Sequence, residues 1–232
     1  MRPRLLDLFC GAGGATKGYQ LAGFHVTGVD IRPQPHYCGD SFSRADAMTF
    51  DLDGFDAIHA SPPCQAYTRA RHLRKAQGGE TQAPDLLAPI RERLAEHGVP
   101  YAIENVPGAP MTGVVLCGSM FGLRVRRHRI FEATVPIIAP ACRHKEQGKP
   151  VGVYHVMGDK IPCGGHTAKT LEEAQAAMGI DWMAWKELKE SIPPAYTELV
   201  GAALMREVCE GEKKSPPRTC RSGPQAFGPK PS

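Results

Sequence analysis

The chain has 232 residues, 42% of them hydrophobic and 22% charged, a balance that excludes a fibrous or fully disordered protein and predicts one medium domain with its own core. No apolar run approaches the ~18 residues of a membrane span, and the N-terminal apolar stretch runs into a glycine cluster instead of a cleavage site, so a cytoplasmic protein is expected. The net charge of +4 sits in residues 211–232, which carry five basic residues and one acid, so overall charge does not argue for a polyanionic partner.

In chain order, Leu5 to Phe9 reads as a strand that ends at Gly11, Gly13 and Gly14, followed by a helix from Ala15 to Ala22. His25 to Asp30 reads as a second strand, and Asp56 to Ala60 as a third that runs into Ser61-Pro62-Pro63-Cys64. A helix over Leu86 to Glu96 precedes a strand over Tyr101 to Asn105. Residues 133–169 lack periodicity and hold prolines, glycines, two cysteines and three histidines. Helices follow at Leu171 to Met178, Trp185 to Lys189 and Ala195 to Cys209, and the proline-rich residues 211–232 are expected to be disordered. Strands alternating with helices predict a mostly parallel α/β sheet, whose ligands bind at the C-terminal ends of the strands. The glycine cluster, Asp30, Cys64 and Glu104 all fall there.

Glycines where a strand turns into a helix allow close backbone approach to a ligand, and an acid ending the next strand suits two ribose hydroxyls. A purely structural tight turn is the alternative, because the full dinucleotide signature is lacking. Cys64 between a proline pair and Gln65 reads as exposed, with nearby helix dipoles favouring its thiolate. Glu104 at the same rim would add a carboxylic acid to a thiolate nucleophile. The eight cysteines are scattered without a secretion signal, so reduced thiols are expected.

Asp7-Leu8-Phe9-Cys10-Gly11-Ala12-Gly13-Gly14, Pro63-Cys64-Gln65, Glu104-Asn105-Val106, Arg127-x-Arg129 with Ile130-Phe131, Met178-Gly179-Ile180 and Glu190-Ser191-Ile192-Pro193-Pro194 stand in this order. The set resembles the ordered blocks of the DNA cytosine-5 methyltransferases. That resemblance implies a Rossmann-like S-adenosylmethionine-dependent sheet over residues 1–131, a reduced target recognition module over 132–169, and a segment, 170–210, returning to the catalytic domain. It implies S-adenosylmethionine packed on Phe9, with Cys10, Gly11, Ala12, Gly13 and Gly14 along its methionine part and Asp30 on its ribose. Asp46 would accept from the adenine amine, with Ile31, Ala47, Pro63, Ser191 and Ile192 completing the pocket. Cys64 would add to C6 of cytosine, Glu104 would meet N3, Arg129 would face O2, and Arg127 would orient Glu104 or the loop. Double-stranded DNA with a flipped cytosine is the implied partner, bound by a monomer in a bacterial cell, as in restriction-modification. The basic run with Arg69, Arg71, His72, Arg74 and Lys75 resembles the loop that closes over such a base. An RNA or free-nucleotide substrate, or an inactive relative, is the alternative.

Two departures stand out. Val125 replaces a glutamine common in the family, and Lys189-Glu190-Ser191 stands where Gly-Asn-Ser is common. The 132–169 interval is short for a recognition region, which predicts a short target site and suggests a viral or mobile-element source. Within it, Cys142-x-His144 and Cys163-x-x-His166 are a candidate structural zinc set, with coincidence the alternative. Arg143, Lys145, His155 and Lys160 are its candidate specificity residues.

Overall fold

The strand β1 (Arg4–Leu8) is buried on both faces from Leu5 onward, which is why leucines occupy both, with Asp7 the one polar residue in the buried run. On one side Leu5 packs with Tyr19, Phe24, Tyr196, Val200 and Leu204. On the other, Leu6 and Leu8 pack with Ile58, Ile90, Leu94 and Ile103. The period-2 pleat thus splits one strand between two cores. The protein is described from a computed structural model that covers residues 1–65, 67, 84–154 and 164–214.

Helix α1 (Gly14–Leu21) and strand β2 (His25–Asp30) follow β1, then β3 (Ser41–Arg44), β4 (Ala57–Ala60), α2 (Leu87–His97) and β5 (Tyr101–Asn105). Strand β6 (Val114–Leu116), a 3-10 turn at Gly118–Phe121 and β7 (Arg129–Ala133) complete a seven-stranded sheet of order β3-β2-β1-β4-β5-β7-β6. The first five strands are parallel, and β7 runs antiparallel to both β5 and β6. Strands expected over 25–30 and 101–105 have those bounds. Three sheet strands escape a pattern reading. β3 is a largely exposed edge of sequence SFSR, β6 has three residues, and β7 mixes charge with apolar residues because two of its side chains make ion pairs.

The irregular region contains α3 (His144–Gln147) and a two-stranded parallel pair, β8 (Val151–Gly152) with β9 (His166–Thr167). Helix α4 (Leu171–Met178) follows, started by Thr170, whose hydroxyl accepts from Glu173 N, and stopped by Gly179 in the left-handed region at φ 69°. Val151, Val153 and Ala168 share one core with Ala174, Ala177, Met178, Met183, Leu188, Val125 and Ala12. Residues 151–153 and 168 are therefore packed on α4, on Met183 and Leu188, and on Ala12 and Val125. Helix α5 (Trp185–Glu190) leads to α6 (Pro194–Lys214), which lies against α1 and continues past the boundary expected at 210. Residues 215–232 lie outside the described residues.

Two ionisable groups sit in the core with opposite signs. Burial raises the Asp7 carboxyl from 3.8 to about 7, although Thr16 Oγ1 donates to it. Burial pushes the His59 imidazole from 6.5 down to about 3. Protonated Asp7 stabilises the fold fully below its unfolded value, and this is lost as pH rises through about 7. Neutral His59 stabilises above 6.5, and this is lost as pH falls toward 3. In urea unfolding, Asp7→Asn should gain on the wild type between pH ~4 and ~7, by on the order of a few kcal/mol, and level off above. A difference independent of pH across that window would overturn the buried-acid assignment.

Candidate active site

The chain leaves β1 through Phe9, the one described non-glycine residue with positive φ, at 61°. That conformation is strained for a bulky L-residue and persists where surrounding bonds over-determine it. Here Cys10 N donates to Val29 O at 3.1 Å and Gly13 N to Cys10 O at 3.0 Å. Gly11 N donates to Asp30 Oδ2 at 3.0 Å, while Arg32 N donates to Asp30 Oδ1 at 2.9 Å. Asp30 thereby ties the ends of β1 and β2 together. From the far end of the chain, Trp182 Nε1 donates to Ala12 O at 2.9 Å, a brace that the sequence patterns did not single out.

The expected cofactor residues gather along this rim. Phe9 is half-buried, whereas Ile31, next to Asp30, is 66% exposed. Ala47 is buried, and exposed Asp46 uses Oδ1 to cap its own turn, accepting from Met48 N at 2.8 Å. Gly14 faces Ser191 and Ile192 so closely that a Cβ would lie 1.8 Å from Ser191 Oγ. Glu190, at the position where the sequence departs from the family, pairs with Arg32 at 3.1 Å.

The second half of the site lies at the ends of β4, β5 and the start of β7. Arg129 Nε pairs with Glu104 Oε1 at 2.9 Å, with both side chains nearly buried. Register explains the pairing, since β5 and β7 are antiparallel neighbours and Glu104 stands opposite Phe131, two residues from Arg129. Burial raises the Glu104 carboxyl above 4.5, against opposition from Arg129, a Ser61 hydroxyl and Arg127. Cys64 is half-buried in the same charge cluster. Burial raises its thiol above 9.0, Arg129 and Arg127 pull it down, and Glu104 adds to the rise. The expectation of an exposed thiol is therefore revised: Cys64 is half-buried, and the two guanidiniums oppose, without cancelling, the rise that burial imposes.

Supporting bonds fix this arrangement. Asn105 Nδ2 donates to Pro62 O at 3.1 Å, holding the proline pair before Cys64. Arg127 donates to Lys189 O at 2.6 Å and to Tyr154 Oη at 3.0 Å, and its carbonyl accepts from Tyr196 Oη at 2.9 Å. Arg127 thus ties the start of β7 to residues 154 and 189. Tyr154, which sequence reasoning missed, lies beside both arginines; desolvation would raise its hydroxyl, but Arg127 and Arg129 outweigh this and hold it below 10. Behind Glu104 runs a buried chain: Tyr19 Oη to His59 Nδ1 at 2.8 Å, His59 Nε2 to Ser61 Oγ at 2.8 Å, and Ser61 to Glu104. No period or motif announces such a chain, because its members come from α1, β4 and β5.

Arg69, Arg71, His72, Arg74 and Lys75 lie outside the described residues, as do His155, Lys160 and Cys163. The expected zinc set of Cys142, His144, Cys163 and His166 cannot be assembled among the described residues, since Cys163 lies outside them. His166 Nε2 pairs with Glu173 Oε1 at 2.7 Å, and Cys142 and His144 converge instead with Cys117 and His128.

No family model matches the chain. The chain is 29% identical over 143 residues to a protein of Oceanobacillus iheyensis designated type II methyltransferase M.OihORF3336P, covering 49% of this chain and 31% of that protein. It is 31% identical over 98 residues to type II methyltransferase M1.HphI of Haemophilus parahaemolyticus, covering 34% and 24%. The chain thus spans less than a third of the length of either curated relative it matches. A crystal structure described as a DNA modification methyltransferase of an Escherichia coli prophage superposes with TM-score 0.60 at 15% identity, covering 88% of this chain and 99% of that one. With its strand order and antiparallel β7, the chain has the Rossmann-like fold of the S-adenosylmethionine-dependent methyltransferases.

Proposed function

We propose that this chain is an S-adenosylmethionine-dependent DNA methyltransferase acting at C5 of cytosine. The observation that carries the reading is Cys64 in one charge cluster with the buried Arg129–Glu104 pair, at the C-terminal rim of the sheet beside the Phe9–Gly14 turn. The residues fit the cofactor. Half-buried Phe9 and exposed Ile31 offer apolar walls for a purine, and Asp30 stands where a ribose would lie. S-adenosylmethionine, when bound, supplies the methyl group.

Cytosine C5 is a poor nucleophile until a thiolate adds at C6. Cys64 forms that bond, with Arg129 and Arg127 favouring the thiolate. Electron density then builds on N3 and O2. Glu104, whose proton is favoured by burial, donates to N3, and Arg129 faces the charge on O2. After methyl transfer to C5, water takes the C5 proton, the C6–sulfur bond breaks to release the Cys64 thiolate, and N3 returns its proton to Glu104. A base in a stacked duplex cannot reach a thiol at this rim, so the cytosine is flipped out. The two type II methyltransferase relatives support methyl transfer to a nucleic acid.

Methyl transfer from labelled cofactor to duplex DNA of mixed sequence, with base-resolution mapping, tests this reading. Label on C5 of cytosines within one short sequence is expected. Label confined to RNA or free nucleotide, or on an exocyclic amine, would overturn it.

A further inference from the structure

Cys117, His128, Cys142 and His144 each offer one donor atom, all four within 4.8 Å of one another. Cys117 Sγ lies 3.2 Å from His144 Nε2, and Cys142 Sγ lies 3.8 Å from His128 Nε2. The two imidazoles are nearly perpendicular, at 87°. A tetrahedral zinc with two sulfurs at ~2.3 Å and two nitrogens at ~2.0–2.1 Å requires donor separations of about 3.3–3.8 Å. The two sulfur–nitrogen separations of 3.2 and 3.8 Å lie close to that range, and all donor pairs lie within 4.8 Å, so small side-chain adjustments would close the set around an ion.

The backbone explains why these four meet. Leu116 of β6 pairs with Arg129 of β7, so Cys117 and His128 are the next residues out along the same antiparallel ladder. Gly118 N donates to Arg126 O at 3.3 Å, holding the two strand ends together one residue out of that register. The other two ligands arrive from the start of α3, where Arg143 N donates to Ser119 Oγ at 3.1 Å and Arg126 donates to His144 O at 3.3 Å. Cys117 is buried, the imidazoles are half-buried and Cys142 is exposed.

We infer that Cys117, His128, Cys142 and His144 form a four-coordinate structural zinc site that joins the β6–β7 ends to the first turn of the small module. With all four positions taken by protein, the site has no open position for catalysis. Its consequence is positional. His128 lies between Arg127 and Arg129, so the metal fixes the segment that aims both guanidiniums. The site does not depend on the methyl-transfer reading.

The full chain, grown with zinc and purified under reducing conditions without chelator, is assayed for metal by elemental analysis. About one zinc per chain is expected. Cys142→Ser and His128→Ala should bring it near zero, whereas Cys163→Ser and His166→Ala should retain it. Cys142 is exposed, so its variant tests the metal without emptying the core; circular dichroism checks its fold. In the wild type, replacement by cobalt should give thiolate charge-transfer absorption and the intense visible bands of four-coordinate cobalt. Wild-type chain free of zinc after incubation with zinc under reducing conditions would overturn the site. So would a Cys117–Cys142 disulfide as the stable state under those conditions, or loss of zinc in Cys163→Ser and His166→Ala with retention in Cys142→Ser and His128→Ala.

Discussion

Cys64→Ala should lower methyl transfer by at least ~10³-fold while leaving cofactor affinity within a few-fold of wild type. The reason is a division of labour across the rim. Affinity for a purine nucleoside is assigned to Phe9, Asp30 and Ile31 at the ends of β1 and β2, whereas Cys64 follows β4 and meets the charges of Arg129 and Glu104. Removing the thiol removes the covalent step and leaves the apolar walls in place. Trapping gives the complementary readout. DNA carrying 5-fluorocytosine at the target should form a denaturation-resistant adduct with wild type, because C5 then carries no proton to lose and the thiolate is not expelled. The same DNA should form none with Cys64→Ala. Glu104→Gln retains a hydrogen-bond donor toward N3 but no transferable acid, so it should fall between the two in rate. Methylation by Cys64→Ala at the wild-type rate, or an adduct mapped to another cysteine, would sink the assignment.

Much of this frame is legible in the chain because the relevant signals are local. Leu5 on one face and Leu6 and Leu8 on the other are apolar because β1 is flanked by β2 and β4 and covered on both sides. Cys64, Glu104 and Arg129 each sit next to a strand end, and a strand end is a short-range pattern. What the chain hides is the sideways pairing of those ends. Tyr154 carries no motif, and its position beside Arg127 depends on the fold of the module. Trp182 carries no motif either, and its indole N–H reaches back across 170 residues to Ala12 O. The metal ligands show the same limit most clearly. Cys142-x-His144 is visible as a pair, and spacing alone joined it to the next Cys/His pair downstream. Cys117 and His128 are eleven residues apart in sequence, yet they meet only because β6 and β7 are in antiparallel register.

The close seating of α1 against the returning segment leads to the last expected result: Gly14→Ala should cost both stability and cofactor affinity, whereas Gly18→Ala should cost stability alone. A Cβ at Gly18 would lie 2.1 Å from Pro194 O, 2.1 Å from Thr197 Oγ1 and 2.6 Å from Glu198 N. Backbone atoms cannot rotate away as a side chain can, so α6 must shift from α1, straining the 2.9 Å bond from Thr197 Oγ1 to Ala15 O. Overpacking of this kind typically costs ~1–3 kcal/mol, and more where backbone is the obstacle. At Gly14 the added carbon meets Ser191 Oγ at 1.8 Å and Ile192 O at 2.5 Å. Ser191 has a rotamer to move to, but the Ile192 carbonyl does not, so the 191–192 segment must withdraw from the glycine turn. That segment and the turn are the two sides of the proposed methionine pocket, so the distortion reaches the ligand. Removing the hydroxyl with Ser191→Ala should therefore rescue Gly14→Ala only in part. Gly211, in the same helix α6 with nothing within 4 Å of its Cβ position, is the control. Gly211→Ala should be neutral or stabilising by up to ~1 kcal/mol, since alanine is the better helix former. Urea unfolding paired with calorimetric titration of S-adenosylmethionine reads both quantities. Equal affinity in folded Gly14→Ala and Gly18→Ala would show that Ser191 and Ile192 do not border the cofactor, and a stable Gly18→Ala would show that α1 and α6 are not in the close contact described.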